Sequence, residues 1–188
     1  RVMQKKLLRY ALPLLPSSLA IWVVNISDRT IIALTLGVAA NGIYAVSNKF
    51  FALFVGLFVV FEMSWNEAAA LHIKAKDHDE FFSTVFNNAV KFFASIALLI
   101  IASIPFILPW LVEDIYFDAK YYIPILLIGA FACSVTAVYG SIYIAKKQTR
   151  EVMKTSLIAA AVNILLNIIF IPLFGLYGAS FSTLLAYG

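Results

Sequence analysis

Charge is scarce in this sequence. Of 188 residues only 13% are charged and 63% are hydrophobic, against roughly a quarter and a half in a soluble globular domain. So much apolar surface cannot turn onto one buried core, which leaves lipid as the solvent. Cysteine is nearly absent. The single Cys133 cannot close an internal disulfide and has no partner for a metal site; within the apolar run 126–139 it reads as a packing residue. The two histidines, His72 and His78, sit in one charged segment and carry no specific role. There is no His-rich cluster, no glycine-rich phosphate loop and no nucleophile beside a plausible base. The sequence is therefore read as a non-enzyme, without cofactor or metal. Alternation with a period of two is also missing over segments of about ten residues, which argues against a transmembrane barrel. Helices are the remaining way to satisfy backbone polar groups in lipid.

Six apolar stretches are present: 10–35, 43–71, 81–112, 121–145, 155–171 and 177–188. A bilayer crossing takes about 20 residues, so five are complete spans and the sixth is a beginning. The second and third exceed one span, which predicts tilt or extension beyond the membrane. Sixteen Phe, nine Tyr and three Trp supply the aromatic content of membrane–water interfaces. The expected fold class is all-α, a polytopic transmembrane helical bundle. With no methionine at position 1 and Gly188 lying inside an apolar stretch, the chain is expected to be a fragment of a longer protein.

The net charge of +4 comes from short basic clusters between the apolar stretches, which read as topology signals rather than a nucleic-acid surface. Arg1, Lys5, Lys6 and Arg9 precede the first stretch, Lys74 and Lys76 follow the second, and Lys146, Lys147, Arg150 and Lys154 follow the fourth. Under simple alternation every cluster falls on one side. The positive-inside rule makes that side cytoplasmic and places the N-terminus there, in a multi-pass protein of the cell (cytoplasmic or inner) membrane. Pro13 and Pro16 predict a bend early in the first helix. Pro172, Gly175 and Gly178 predict a tight outer turn.

Charges inside membrane spans cost roughly 2.5–3.5 kcal/mol on insertion scales and normally face a bundle interior or a wet cavity. Here they are Asp28, Arg29, Lys49, Glu62 and Lys91. Ser18, Trp22, Asn25 and Arg29 form one stripe on a helix of 3.6 residues per turn, with Asp28 beside it. Counted from the ends of the apolar stretches, Arg29 and Lys49 share one depth, roughly 9–10 Å below the outer surface. Thr84, Asn87, Asn88, Lys91 and Ser95 make a second stripe, with Lys91 and Glu62 at matching depth. One reading is a cationic cavity for an anionic substrate, since the arginine fork suits phosphate oxygens and lysine adds a point charge. The other is internal ion pairing, Asp28 with Lys49 or Arg29 and Glu62 with Lys91. Asn163 and Asn167, one turn apart beside Ala159–Ala161, fit close helix packing as well as a polar site.

These motifs resemble a known family. Pro13-Leu-Leu-Pro16-Ser-Ser followed by Asp28-Arg29, Gly42-Ile-Tyr-Ala-Val-Ser-Asn-Lys49, and Asn163-Ile-Leu-Leu-Asn167 with Pro172-Leu-Phe-Gly175-Leu-Tyr-Gly178-Ala179 are similar to the bacterial polysaccharide and O-antigen flippases. That family belongs to the superfamily holding the multidrug and toxin extrusion antiporters. The resemblance implies one half of a transporter of twelve or fourteen helices, with residues 1–188 similar to its second six-helix bundle. It implies an undecaprenyl-diphosphate-linked oligosaccharide as substrate, with membrane lipids and the first half of the same polypeptide as partners. Arg29 and Lys49 would attract the diphosphate, with Asp28, Asn25 and Lys91 also lining the substrate path. Asp28 and Glu62 would serve gating or coupling. The alternatives are an ion-coupled drug antiporter of the same fold and a membrane scaffold that does not transport.

Overall fold

The computed structural model describes residues 11, 12 and 14–187, so Pro13 and the basic cluster Arg1–Arg9 lie outside the described residues. The described chain is helical throughout: α1 (Leu14–Thr35), α2 (Val38–His72), α3 (His78–Leu111), a 3-10 turn (Asp114–Tyr116), α4 (Ala119–Ala145), α5 (Thr149–Phe174) and α6 (Leu176–Tyr187). The first five of these helices are long and apolar enough to cross a membrane.

Helix limits follow the apolar stretches closely, and the departures have local causes. α2 starts at Val38 rather than at 43, because Gly37 makes the turn at φ +89° and Asn41 and Gly42 then continue as helix despite their low hydropathy. α5 starts at Thr149 because its first turns, rich in Arg150, Glu151 and Lys154, extend past the apolar segment. Pro172 belongs to α5 and Gly178 to α6, so the turn expected across 172–178 contracts to Gly175 alone, at φ +61°.

Two layers describe the packing. α1, α2 and α3 form one, and α5, α6 and α4 the other, with α1 laid on α5, α2 on α4, and α6 held between α4 and α5. The α2–α3–α4 half has an aromatic core in which Phe58 meets Phe93 edge-on at 5.2 Å between centroids. Trp65 Nε1 donates to the Val138 carbonyl at 3.1 Å, satisfying a buried indole and tying α2 to α4. The α5–α6 corner is tighter still. A Cβ added at Gly178 would stand 2.1 Å from the Phe170 carbonyl oxygen, so only glycine allows the two helices this approach. Large apolar side chains such as Leu34, Trp110 and Leu173 are exposed on the outer surface, as lipid contact requires.

Candidate functional site

The turns at residues 36–37 and 175 hold the ends of four helices on one side of the bundle. From that side Asp28 lies seven residues before the end of α1 and Asn167 seven before the end of α5. Thr183 lies seven residues into α6 and Tyr44 six into α2. At 1.5 Å per residue all four share a level roughly 10 Å deep.

They meet there. The Tyr44 hydroxyl donates to Asp28 Oδ2 at 3.0 Å, the Thr183 hydroxyl lies 3.1 Å from the same oxygen, and the Asn167 amide donates to Asp28 Oδ1. Asn167 Nδ2 also reaches Asn163 Oδ1 at 3.0 Å, one turn deeper. Asp28 is 4% exposed, and Tyr44, Asn163 and Asn167 are fully buried. Two buried atoms of the cluster, Asn163 Nδ2 and Asn167 Oδ1, have no hydrogen-bond partner.

The cluster can take up a proton without moving the backbone. Thr183 has one hydroxyl proton and two acceptors within reach, Asp28 Oδ2 and the Ala179 carbonyl, each at 3.1 Å. With Asp28 ionised, Thr183 donates to the carboxylate. With Asp28 protonated, the carboxyl donates to Thr183, which turns its own proton to Ala179. The oxygens of Asp28, Asn163, Asn167 and Thr183 are also ligands of the kind a hard cation takes. No group of three or more His, Cys, Asp or Glu gathers anywhere among the described residues.

The other expected site residues lie apart from this cluster. Arg29 follows Asp28 by about 100° of helix rotation and is exposed, as are Ser18, Trp22 and Asn25 of its stripe. The Asn25 amide is turned back onto the Ile21 carbonyl at 3.0 Å. Lys49 and Lys91 are exposed and Glu62 is half-buried. Neither expected ion pair forms: among the described residues the pairs are His78 with Asp79 and Lys154 with Glu151. Asp28, expected at the substrate beside Arg29 and Lys49, instead points into the bundle, because Tyr44, Thr183 and Asn167 bind it there.

Arg29 and Lys49 do not share the expected depth. Because α2 begins at Val38, Lys49 stands eleven residues in, against six for Arg29 from the end of α1. Lys49 is therefore about 7–8 Å deeper. Tyr44 and Thr183 were not among the expected site residues, although counting from helix ends at the two glycine turns brings both to the level of Asp28.

No protein-family model and no curated protein matches this sequence. Two solved structures share its fold. One is a MOP superfamily transporter from Pyrococcus furiosus, described as having a binding pocket of reversed polarity that suggests a different function; it is 24% identical, with a TM-score of 0.77. The other is a multidrug resistance transporter of the MATE family of that superfamily, in an outward-facing conformation, 23% identical and also with a TM-score of 0.77. In both cases 97% of this chain aligns with 42% of the other. The chain thus spans less than half the length of the transporters it matches, and has the fold of a helical bundle making up part of such a protein.

Proposed function

We propose that the chain is the second bundle of a membrane transporter that flips an undecaprenyl-diphosphate-linked oligosaccharide across the cytoplasmic membrane, by alternating access, for surface polysaccharide biosynthesis. One observation carries this reading. Arg29 and Lys49 are exposed within apolar spans and have no ion pair among the described residues, which lipid contact would not tolerate. A water-filled chamber, closed from the other side by the first bundle of the same polypeptide, accommodates both. Standing at two levels, the cations would hand the diphosphate from one to the other, while the lipid tail stays in the bilayer. Asn25 and Lys91 would meet the sugar. Asp28 is the coupling group: its load, a proton or a cation, changes the hydrogen bonds joining α1, α2, α5 and α6. Glu62 is a candidate gate nearer the basic end.

The same cluster favours a second reading, an ion-coupled multidrug antiporter, because a buried acid of this kind is what such a protein needs. Expression of the full-length protein in two strains separates them, one lacking its own polysaccharide flippase and one lacking its drug exporters. Restored surface polysaccharide without drug resistance supports the flippase. Resistance to cationic drugs without polysaccharide supports the antiporter.

A further inference from the structure

At the end of the bundle opposite Asp28, a groove of about 400 Å³ lies between the last turns of α2 and α4. It is lined by Asn66, Glu67, Ala70, Ile144, Ala145 and Lys147. Three features set it apart from an ordinary surface hollow. Glu67 and Lys147 share it without forming an ion pair, since neither appears in the pairs formed among the described residues. Asn66, which lines it, has its Oδ1 buried beneath the surface without a hydrogen-bond partner, a costly state for an acceptor.

The third feature is Lys147 itself, which holds φ +58° at the end of α4. Its N–H donates to the Ile144 carbonyl at 2.9 Å and the Gln148 N–H to the Tyr143 carbonyl at 2.8 Å, the helix-ending motif in which glycine is the usual residue. A lysine in the left-handed region is disfavoured, and what it brings that glycine lacks is an ammonium group at the groove.

We propose that this groove binds the headgroup of a phosphoethanolamine lipid. The phosphate would meet Lys147, and the primary ammonium would meet the exposed Glu67 carboxylate. The opposed charges decide the class. A purely anionic headgroup would be repelled by Glu67, and a choline headgroup has no N–H to give Glu67. The apolar wall of Ala70, Ile144 and Ala145, at the level where the spans end, favours a lipid over a free zwitterion. The proposal does not depend on which substrate is transported.

The test uses the full-length protein in nanodiscs made from equal parts phosphatidylethanolamine and phosphatidylcholine, with retained lipid counted by native mass spectrometry. The wild type should retain the ethanolamine lipid in about tenfold preference, equivalent to about 1.4 kcal/mol. Glu67→Gln and Lys147→Gly should each bring the preference close to even. Lys147→Gly should at the same time raise the unfolding temperature, because glycine suits the left-handed position, so loss of lipid cannot be ascribed to damage. No preference in the wild type, or a preference that survives both substitutions, overturns the proposal. Stronger retention of phosphatidylglycerol in a parallel mixture would overturn it too, by assigning the groove to anionic lipids.

Discussion

Tyr44 donates its hydroxyl to Asp28 Oδ2 at 3.0 Å across the α1–α2 interface, with the phenol fully buried and the carboxyl nearly so. This bond joins the helix carrying Arg29 to the helix carrying Lys49. It holds Asp28 in the bundle interior, while Arg29 and Lys49 are exposed. Tyr44→Phe removes one donor to a buried carboxyl and should destabilise the bundle by about 1.5–3 kcal/mol. Asp28→Asn keeps the shape of the side chain but loses its capacity to exchange a proton. The protein should still reach the membrane, while gradient-driven transport in vesicles should stop. Transport by Asp28→Asn at the wild-type rate would remove Asp28 from the coupling role.

The α5–α6 corner depends on two glycines for different reasons. Gly178 leaves no room for a Cβ beside the Phe170 carbonyl, so Gly178→Ala must push the helices apart at a cost of about 1–3 kcal/mol. Gly175 has open space around it but sits at φ +61° and ψ −137°, a region nearly reserved for glycine. Gly175→Ala should cost about 1–3 kcal/mol through backbone strain alone. Thermal unfolding in detergent would measure both, and a second substitution shrinking the Phe170 side chain should relieve neither.

Trp65 separates hydrogen bonding from volume. Trp65→Phe removes the bond to the Val138 carbonyl and part of the ring, and should cost about 1–3 kcal/mol. Trp65→Ala should cost about 3–5 kcal/mol by emptying the aromatic layer that Trp65 forms with Phe61 of α2 and Phe81 and Phe82 of α3. Denaturant titration of the two variants gives the comparison, and equal losses would contradict this account of the packing.

The spans were legible because lipid imposes a one-dimensional rule, about 20 apolar residues per crossing, which the stretches around Phe54, Phe93 and Leu127 satisfy directly. Helix ends were less so. Asn41 and Gly42 lower the local hydropathy, so hydropathy alone starts α2 late, after Val38, and displaces Lys49 by more than a turn. Once Gly37 is recognised as the turn, Tyr44 falls level with Asp28. The binding partner of Asp28 was harder to foresee. Charge alone suggests Arg29 or Lys49, but a carboxyl facing the interior can be satisfied by neutral donors that leave no charge pattern, as Tyr44, Asn167 and Thr183 do here. The spacing of Asn163 and Asn167 fits packing and polar site equally well, and only the position of α1 across from them decides.

The exposed cations Arg29 and Lys49 are the groups proposed to meet the diphosphate. The most direct measurement is surface polysaccharide in a flippase-deficient strain carrying the full-length protein, compared with Arg29→Ala and Lys49→Ala at matched membrane levels. The wild type should restore export, and each substitution should abolish it. Normal export from both variants would contradict the cationic path.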